Sequence, residues 1–152
     1  MIVVTGGAGF IGSALIHGLN EKGIKDIWVV DQVDHPEKQK NLNPLIFDRL
    51  IGIDDFLKDV LEKKLSRCDA IFHMGACSST TETDESYLTK NNFEYTRHLA
   101  SFCLEKGIRF IYASSAATYG AGENGYSDDE SRLEILKPLN LYGDSKQKFD
   151  LW

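Results

Sequence analysis

The stretch "VVTGGAGFIGS", residues 3–13, limits the fold more than any other part of the chain. It joins an apolar run, "MIVVT", that reads as a buried strand, to a segment in which Phe10, Ile11, Leu15, Ile16 and Leu19 fall at helical spacing and Gly23 offers a C-terminal stop. Each glycine has a physical role at that junction. Gly6 permits a tight turn, Gly9 lacks the side chain that would keep a pyrophosphate from backbone N–H groups, and Gly12 lets the helix pack close to the sheet. The N-terminus of the helix then stabilises the phosphate charge. A ligand-free tight turn is the alternative. The context favours the ligand: a second apolar run, "IWVV" (27–30), ends at Asp31, at about the spacing of an acidic residue that accepts a ribose hydroxyl. Asp31 by itself points to NAD. Lys38 and Lys40 follow it and either approach a 2′-phosphate, which points to NADP, or are solvated loop lysines.

The rest of the chain repeats the alternation. Gln32 to Pro44, with two prolines and many charges, reads as a surface loop. "LIFDRLIG" holds a third strand, and Phe56, Leu57, Val60, Leu61 and Leu65 space as a helix. "AIFHMGA" (70–76) is a fourth strand running into a small-residue turn, and a long amphipathic helix is expected from Glu85 to Lys106, stopped by Gly107. "FIYASS" (110–115) is a fifth strand, after which a polar loop with three glycines leads to a last helix in "PLNLYGDSKQKFDLW". Strands alternating with helices imply parallel β-α-β units in an open, doubly wound α/β sheet within one domain over residues 1–152.

Tyr142 and Lys146 are four positions apart and so share one face of that last helix. A tyrosine beside an ammonium holds phenolate more readily than a free phenol, which suits general acid–base catalysis on an alcohol or ketone. Ser115, at the end of the fifth strand, is placed to hydrogen-bond the reacting oxygen. The plain alternative packs Tyr142 on the core and leaves Lys146 in solvent. Cys77 and the "SSTT" run read as a nucleophile with hydroxyl helpers, for which only His73 is near in sequence, as polar contacts to a cofactor or sugar, or as a turn that caps the next helix.

A formal net charge of −6 argues against a non-specific nucleic-acid or anionic-membrane binder. No apolar run approaches the roughly 20 residues of a membrane span, and the first residues lack the pattern of a secretory signal. Cys68, Cys77 and Cys103 are odd in number and widely spaced, as expected of reduced thiols in the cytoplasm, and the histidines show no zinc-ligand spacing.

"TGGAGFIG", Asp31, "DAIFHMGA", "NNFEYT", "YASSAATYG" and "YGDSK", in that order, resemble the extended short-chain dehydrogenase/reductases of Rossmann fold. "FHMGACSSTTE", "YASSAATYG" and "KPLNLYGDSK" narrow the resemblance to the ADP-glycero-manno-heptose 6-epimerases, which make precursors of the lipopolysaccharide core. Met74 departs from that family's usual glutamate, and Ile53 stands near an expected cofactor-contacting lysine. The resemblance implies NADP, with NAD as the alternative. It implies a cofactor site of Phe10, Ile11, Asp31, Gln32, Lys38, the segment Met74, Gly75, Ala76, Cys77 and Ser78, Asn91 and Lys146, with Tyr142 as proton acceptor and Ser115 as its partner. It implies oxidation and re-reduction at C6 of an ADP-heptose-type nucleotide sugar, and a homo-oligomer at full length. It also implies further strands and a C-terminal substrate domain beyond Trp152. The expectation is therefore a truncated dinucleotide-binding domain, inactive by itself, whose fifth strand forms a sheet edge. Another nucleotide-sugar epimerase or dehydratase, or a non-catalytic dinucleotide-binding module, are the competing readings.

Overall fold

The computed structural model describes residues 1–152. Five short runs extend as strands: β1 (Ile2–Thr5), β2 (Ile27–Val30), β3 (Arg49–Ile51), β4 (Ala70–His73) and β5 (Arg109–Tyr112). All pair in parallel in the order β3-β2-β1-β4-β5. In register, Val4 lies between Val29 and Phe72, and Thr5 between Val30 and His73. Successive strand residues face opposite sides, yet Val3 and Val4 are both fully buried, so both faces of β1 are covered. That is why "IVVT" reads as a continuous apolar run rather than an alternating one. Chain order runs outward from β1 in one direction to β3 and then restarts beside β1 with β4. The carboxyl ends of β1 and β4 therefore flank the switch point of the sheet, where ligands bind in such folds. β5 forms one edge, as expected.

The chain falls into two compact units, one of residues 1–75 and 98–112 and the other of residues 76–97 and 113–152. The first holds the whole sheet. Helix α1 (Phe10–Glu21) buries Ile16 and Leu19 in a cluster with Val4, Ala8, Ile27, Val29 and Leu42. Full burial of a side chain such as Ile16 contributes about 1.5–3 kcal/mol, so this stripe rather than helix propensity sets where α1 docks. Helix α3 (Ile53–Leu61) buries Phe56 and Val60. Leu65 is buried too, although the helix has already ended. In place of the surface loop expected from Gln32 to Pro44, the structure has a helix, α2 (Pro36–Leu42). Proline at its first position costs no hydrogen bond, and Leu42, 3% exposed, anchors it in the core cluster.

The second unit contains α4 (Glu85–Leu88), followed by a π-helical turn (Thr89–Glu94) that leads into α5 (Tyr95–Lys106), whose residues from His98 on belong to the first unit. The helix expected over Glu85 to Lys106 is thus present with one widened turn. Two 3-10 turns (Ala116–Tyr119 and Glu130–Ile135) interrupt the stretch expected to be loop, and α6 (Leu141–Leu151) closes the chain. Asn140 caps α6 by accepting from the Gly143 N–H at 2.8 Å. Gln147 donates from Nε2 to the carbonyls of Leu133 and Leu136 at 2.8 and 3.0 Å, tying α6 to the second 3-10 turn. No helix is long and apolar enough to cross a membrane.

Candidate functional site

The turn after β1 is held by contacts that tolerate almost nothing but glycine. Gly6 has φ of +66°, and a Cβ there would lie 2.6 Å from the Gly75 nitrogen and 2.8 Å from the Met74 carbonyl carbon. A Cβ at Gly12 would lie 2.2 Å from the Gly6 carbonyl oxygen, so Gly12 is needed for the helix to pack on the turn itself, not only on the sheet. Gly7, which the sequence pattern does not single out, is required by the core: a Cβ there would meet Val29 Cγ1 at 2.8 Å and Ile16 Cδ1 at 3.1 Å. Gly9 differs from these. A Cβ there meets one atom, the Gly6 oxygen at 3.2 Å, and the space beyond is open.

Gly9 is also the residue before α1, and it has no side chain to satisfy the N–H groups that start the helix. The Ser13 N–H closes on the Gly9 carbonyl at 2.9 Å, which leaves the preceding N–H groups of Phe10, Ile11 and Gly12 without an intrahelical acceptor. Phe10 and Ile11 are 87% and 64% exposed, unusual for large apolar side chains on a core helix. These features give an open, positively polarised cradle suited to a phosphate.

Asp31 directly follows β2 and is 6% exposed. One oxygen accepts from the Ala8 N–H at 2.9 Å, the other from the Gln32 N–H at 2.7 Å and from Lys38 Nζ at 3.0 Å. Lys38 also donates to the Gln32 carbonyl at 2.7 Å and pairs with Asp34 at 3.4 Å. Partial burial pulls the Lys38 ammonium down, but Asp31 and Asp34 more than offset it and hold it above the usual lysine range. Of the two lysines considered from sequence, Lys40 is exposed and Lys38 is drawn to the end of β2. At the end of β4, the Met74 N–H donates to the Thr5 carbonyl at 3.1 Å and the Gly75 N–H to Thr5 Oγ1 at 3.2 Å. His73, buried and stacked on Phe110, contacts Thr5 Oγ1 through Nδ1 at 2.5 Å. It is thus a core histidine with a partner.

In the second unit, Ala76, Cys77 and Ser78 open the segment, and Asn92 holds Cys77 on both sides. Its Oδ1 accepts from the Cys77 N–H at 2.8 Å, and its Nδ2 donates to the Cys77 carbonyl at 3.0 Å and to Ser145 Oγ at 2.9 Å. Asn92 is fully buried and sits in the π-helical turn. The sequence pattern directs attention to its neighbour instead: Asn91 Nδ2 donates to the Tyr87 carbonyl of its own helix at 2.8 Å. The "SSTT" run does not cap α4; Asp84 does, accepting from the Tyr87 N–H at 2.9 Å.

Ser115 lies beyond β5 rather than at its end. It caps the first 3-10 turn, Oγ accepting from the Ala117 N–H at 3.2 Å, and keeps its own O–H to donate. Gly143 lets α6 approach that turn, since a Cβ there would lie 2.9 Å from the Ala117 oxygen. Ser115 and Tyr142 thus stand on elements packed together. Tyr142 is half-buried. Lys146 is 2% exposed, so the alternative of a solvated lysine does not hold. Burial holds its ammonium below the usual lysine range, and the charge of Asp150 opposes that only in part.

The chain is similar to known proteins over its whole length. The chain is 54% identical, over its whole length, to the ADP-L-glycero-D-manno-heptose-6-epimerase of Nitratidesulfovibrio vulgaris, covering 47% of that relative. It superposes on the crystal structure of the Helicobacter pylori ADP-L-glycero-D-manno-heptose-6-epimerase with a TM-score of 0.82 at 30% identity, over 99% of this chain and 49% of that one. It superposes on the UDP-glucuronic acid 4-epimerase of Bacillus cereus, solved in complex with NAD, with a TM-score of 0.79 at 28% identity, over 99% of this chain and 49% of that one. The chain spans about half the length of the curated relatives it matches. Residues 2–152 match the family model as well, and with the parallel sheet and glycine turn described above they place the chain in the NAD dependent epimerase/dehydratase family.

Proposed function

We propose that residues 1–152 form the dinucleotide-binding part of an ADP-glycero-manno-heptose 6-epimerase that uses NADP. The open face of Gly9 before the N-terminus of α1 carries the proposal: a pyrophosphate can reach backbone N–H groups there without displacing protein atoms. The family description supports a nicotinamide dinucleotide, and relatives 51–54% identical that bear the heptose-epimerase name support the substrate. NADP over NAD rests on Lys38. With its ammonium beside Asp31, the end of β2 carries a cation able to meet a 2′-phosphate, whereas a lone carboxylate would repel one.

A bound nicotinamide dinucleotide would supply the chemistry for hydride removal from the C6 carbinol of the heptose and for its return to the other face of the ketone, with no net redox change. Tyr142 takes the hydroxyl proton and gives it back. Lys146, one helical turn on, favours the phenolate and holds the nicotinamide ribose, and Ser115 donates its O–H to the reacting oxygen. Gln32, Met74, Gly75, Ala76, Cys77, Ser78 and Asn91 line the cofactor.

Calorimetric titration of NADP and NAD against wild type, Gly9→Val and Lys38→Ala tests the cofactor reading. Gly9→Val should abolish binding of both. Lys38→Ala should weaken NADP about tenfold or more, as for loss of a charged hydrogen bond, and leave NAD nearly unchanged. Equal affinity of wild type and Gly9→Val for either dinucleotide would refute the site, and equal losses for NADP and NAD in Lys38→Ala would remove Lys38 as the reader of the phosphate.

A further inference from the structure

The glycine turn has little intrinsic preference for one conformation, because three of its four residues, Gly6, Gly7 and Gly9, lack a side chain. Side chains from outside the turn therefore have to set its shape, and they act on Ala8. Ala8 is fully buried in the cluster that contains Leu42. Its N–H donates to Asp31 Oδ2 at 2.9 Å, and its carbonyl accepts from Asn41 Nδ2 at 3.0 Å. The next N–H, that of Gly9, donates to the Gly6 carbonyl at 3.0 Å. The peptide plane between Ala8 and Gly9 is thus held at its oxygen by Asn41 and at its N–H by the turn. Beyond Gly9 come the N–H groups that start α1. Asn41 and Leu42 are adjacent on α2, so one short helix grips the turn by an amide and by an apolar contact.

We infer that Asn41 is a positioning residue for the dinucleotide. By donating to the Ala8 carbonyl it orients the peptide that aims the start of α1 at the pyrophosphate. Without the donor the carbonyl is left buried and unpaired, and the plane turns to find another partner. This rests on the dinucleotide reading above. It goes beyond that reading because it assigns a role to a residue outside the proposed cofactor site, on a helix the sequence pattern does not reveal.

Asn41→Ala removes the amide, and Asn41→Asp keeps its size while removing its donors. Both should weaken NADP, NAD and ADP-ribose by the same factor, about three- to tenfold, the worth of one hydrogen bond. Adenosine 2′-monophosphate, which lacks the pyrophosphate, should compete equally well against wild type and both variants. A common loss for all four ligands would mean that Asn41 merely supports the fold, and wild-type affinity for NADP in either variant would overturn the inference. A second measurement does not depend on binding. In the free protein, amide hydrogen exchange at Ala8 and Gly9 should quicken about three- to tenfold in both variants while Val4 and Val29 in the sheet keep wild-type rates. Unchanged exchange at Ala8 and Gly9 would overturn the inference, and quickened exchange in a protein whose wild type binds no dinucleotide would support the hold on the turn and sink the cofactor reading instead.

Discussion

Gly12→Ala and Gly9→Ala add the same methyl group three positions apart, yet the structure gives them opposite consequences. At Gly12 the added carbon would lie 2.2 Å from the Gly6 oxygen, 2.7 Å from Gly7 Cα and 2.8 Å from the Gly6 carbonyl carbon. Non-bonded carbon contacts settle at about 3.5–4.0 Å, so each of the three is roughly 1 Å too short. All three partners are backbone, and no rotamer change relieves them. Either α1 moves off the turn or the turn opens and loses the bond from the Gly9 N–H to the Gly6 carbonyl. Overpacking of this kind costs about 1–3 kcal/mol and the lost bond about 1 more, which sums to roughly 2–4 kcal/mol. For a domain of this size that lowers Tm by roughly 5–15 °C. At Gly9 the added carbon meets only the Gly6 oxygen at 3.2 Å, and φ of −75° with ψ of 175° suits any residue. Gly9→Ala should stay within about 0.5 kcal/mol of wild type in urea denaturation followed by circular dichroism. Its NADP affinity should nonetheless fall about tenfold or more, because the methyl stands where the pyrophosphate approaches. A Gly12→Ala protein that unfolds with the wild-type midpoint would refute the steric argument, and a Gly9→Ala protein that keeps full NADP affinity would refute the assignment of the open face.

Further expectations follow from groups the core encloses. Lys146 lies below the usual lysine range in the folded chain, so between its folded value and the unfolded value of 10.5 the unfolded chain binds more protons and wild-type stability rises with pH. Lys146→Met should stabilise the chain at pH 7 and flatten that rise below pH 10.5; a less stable variant with the same slope would show that the ammonium is not confined. Burial pushes the Cys68 thiol up to about 11 and the Cys103 thiol up to about 12. At pH 8 about one Cys68 in a thousand and fewer Cys103 are thiolate, so a disulfide reagent should modify one thiol, Cys77, within minutes, and rapid loss of all three would contradict the packing. In a chimera with this chain in place of the matching half of the Nitratidesulfovibrio vulgaris relative, Tyr142→Phe should lower kcat by about 10²–10⁴ and change NADP affinity less than about twofold. Turnover close to the unmutated chimera would make Tyr142 structural.

Local chemistry sufficed for the strands and for the turn. "IWVV" became β2 at the residues its composition indicates, and Gly6, Gly9 and Gly12 were legible in their spacing because a strand-to-helix turn is a local object. Asp31, Tyr142 and Lys146 were legible as candidates for the same reason: an acidic residue at a strand end and a pair one helical turn apart are relations along the chain. What escaped the sequence depends on neighbours distant in it. α2 spans seven residues with one apolar anchor, Leu42, too little periodicity to announce a helix, and it exists because that anchor reaches the core. Ser145, Lys146, Gln147 and Phe149 are all buried, so α6 is enclosed around most of its circumference and an exposed face cannot be read from its pattern. The hold of Asn92 on Cys77 and Ser145, and of Asp31 and Asn41 on Ala8, joins residues 15 to 53 positions apart. Residue type states what a side chain can donate, accept or exclude; which partner it meets, and whether water competes for it, is settled only when the packed chain takes the solvent away.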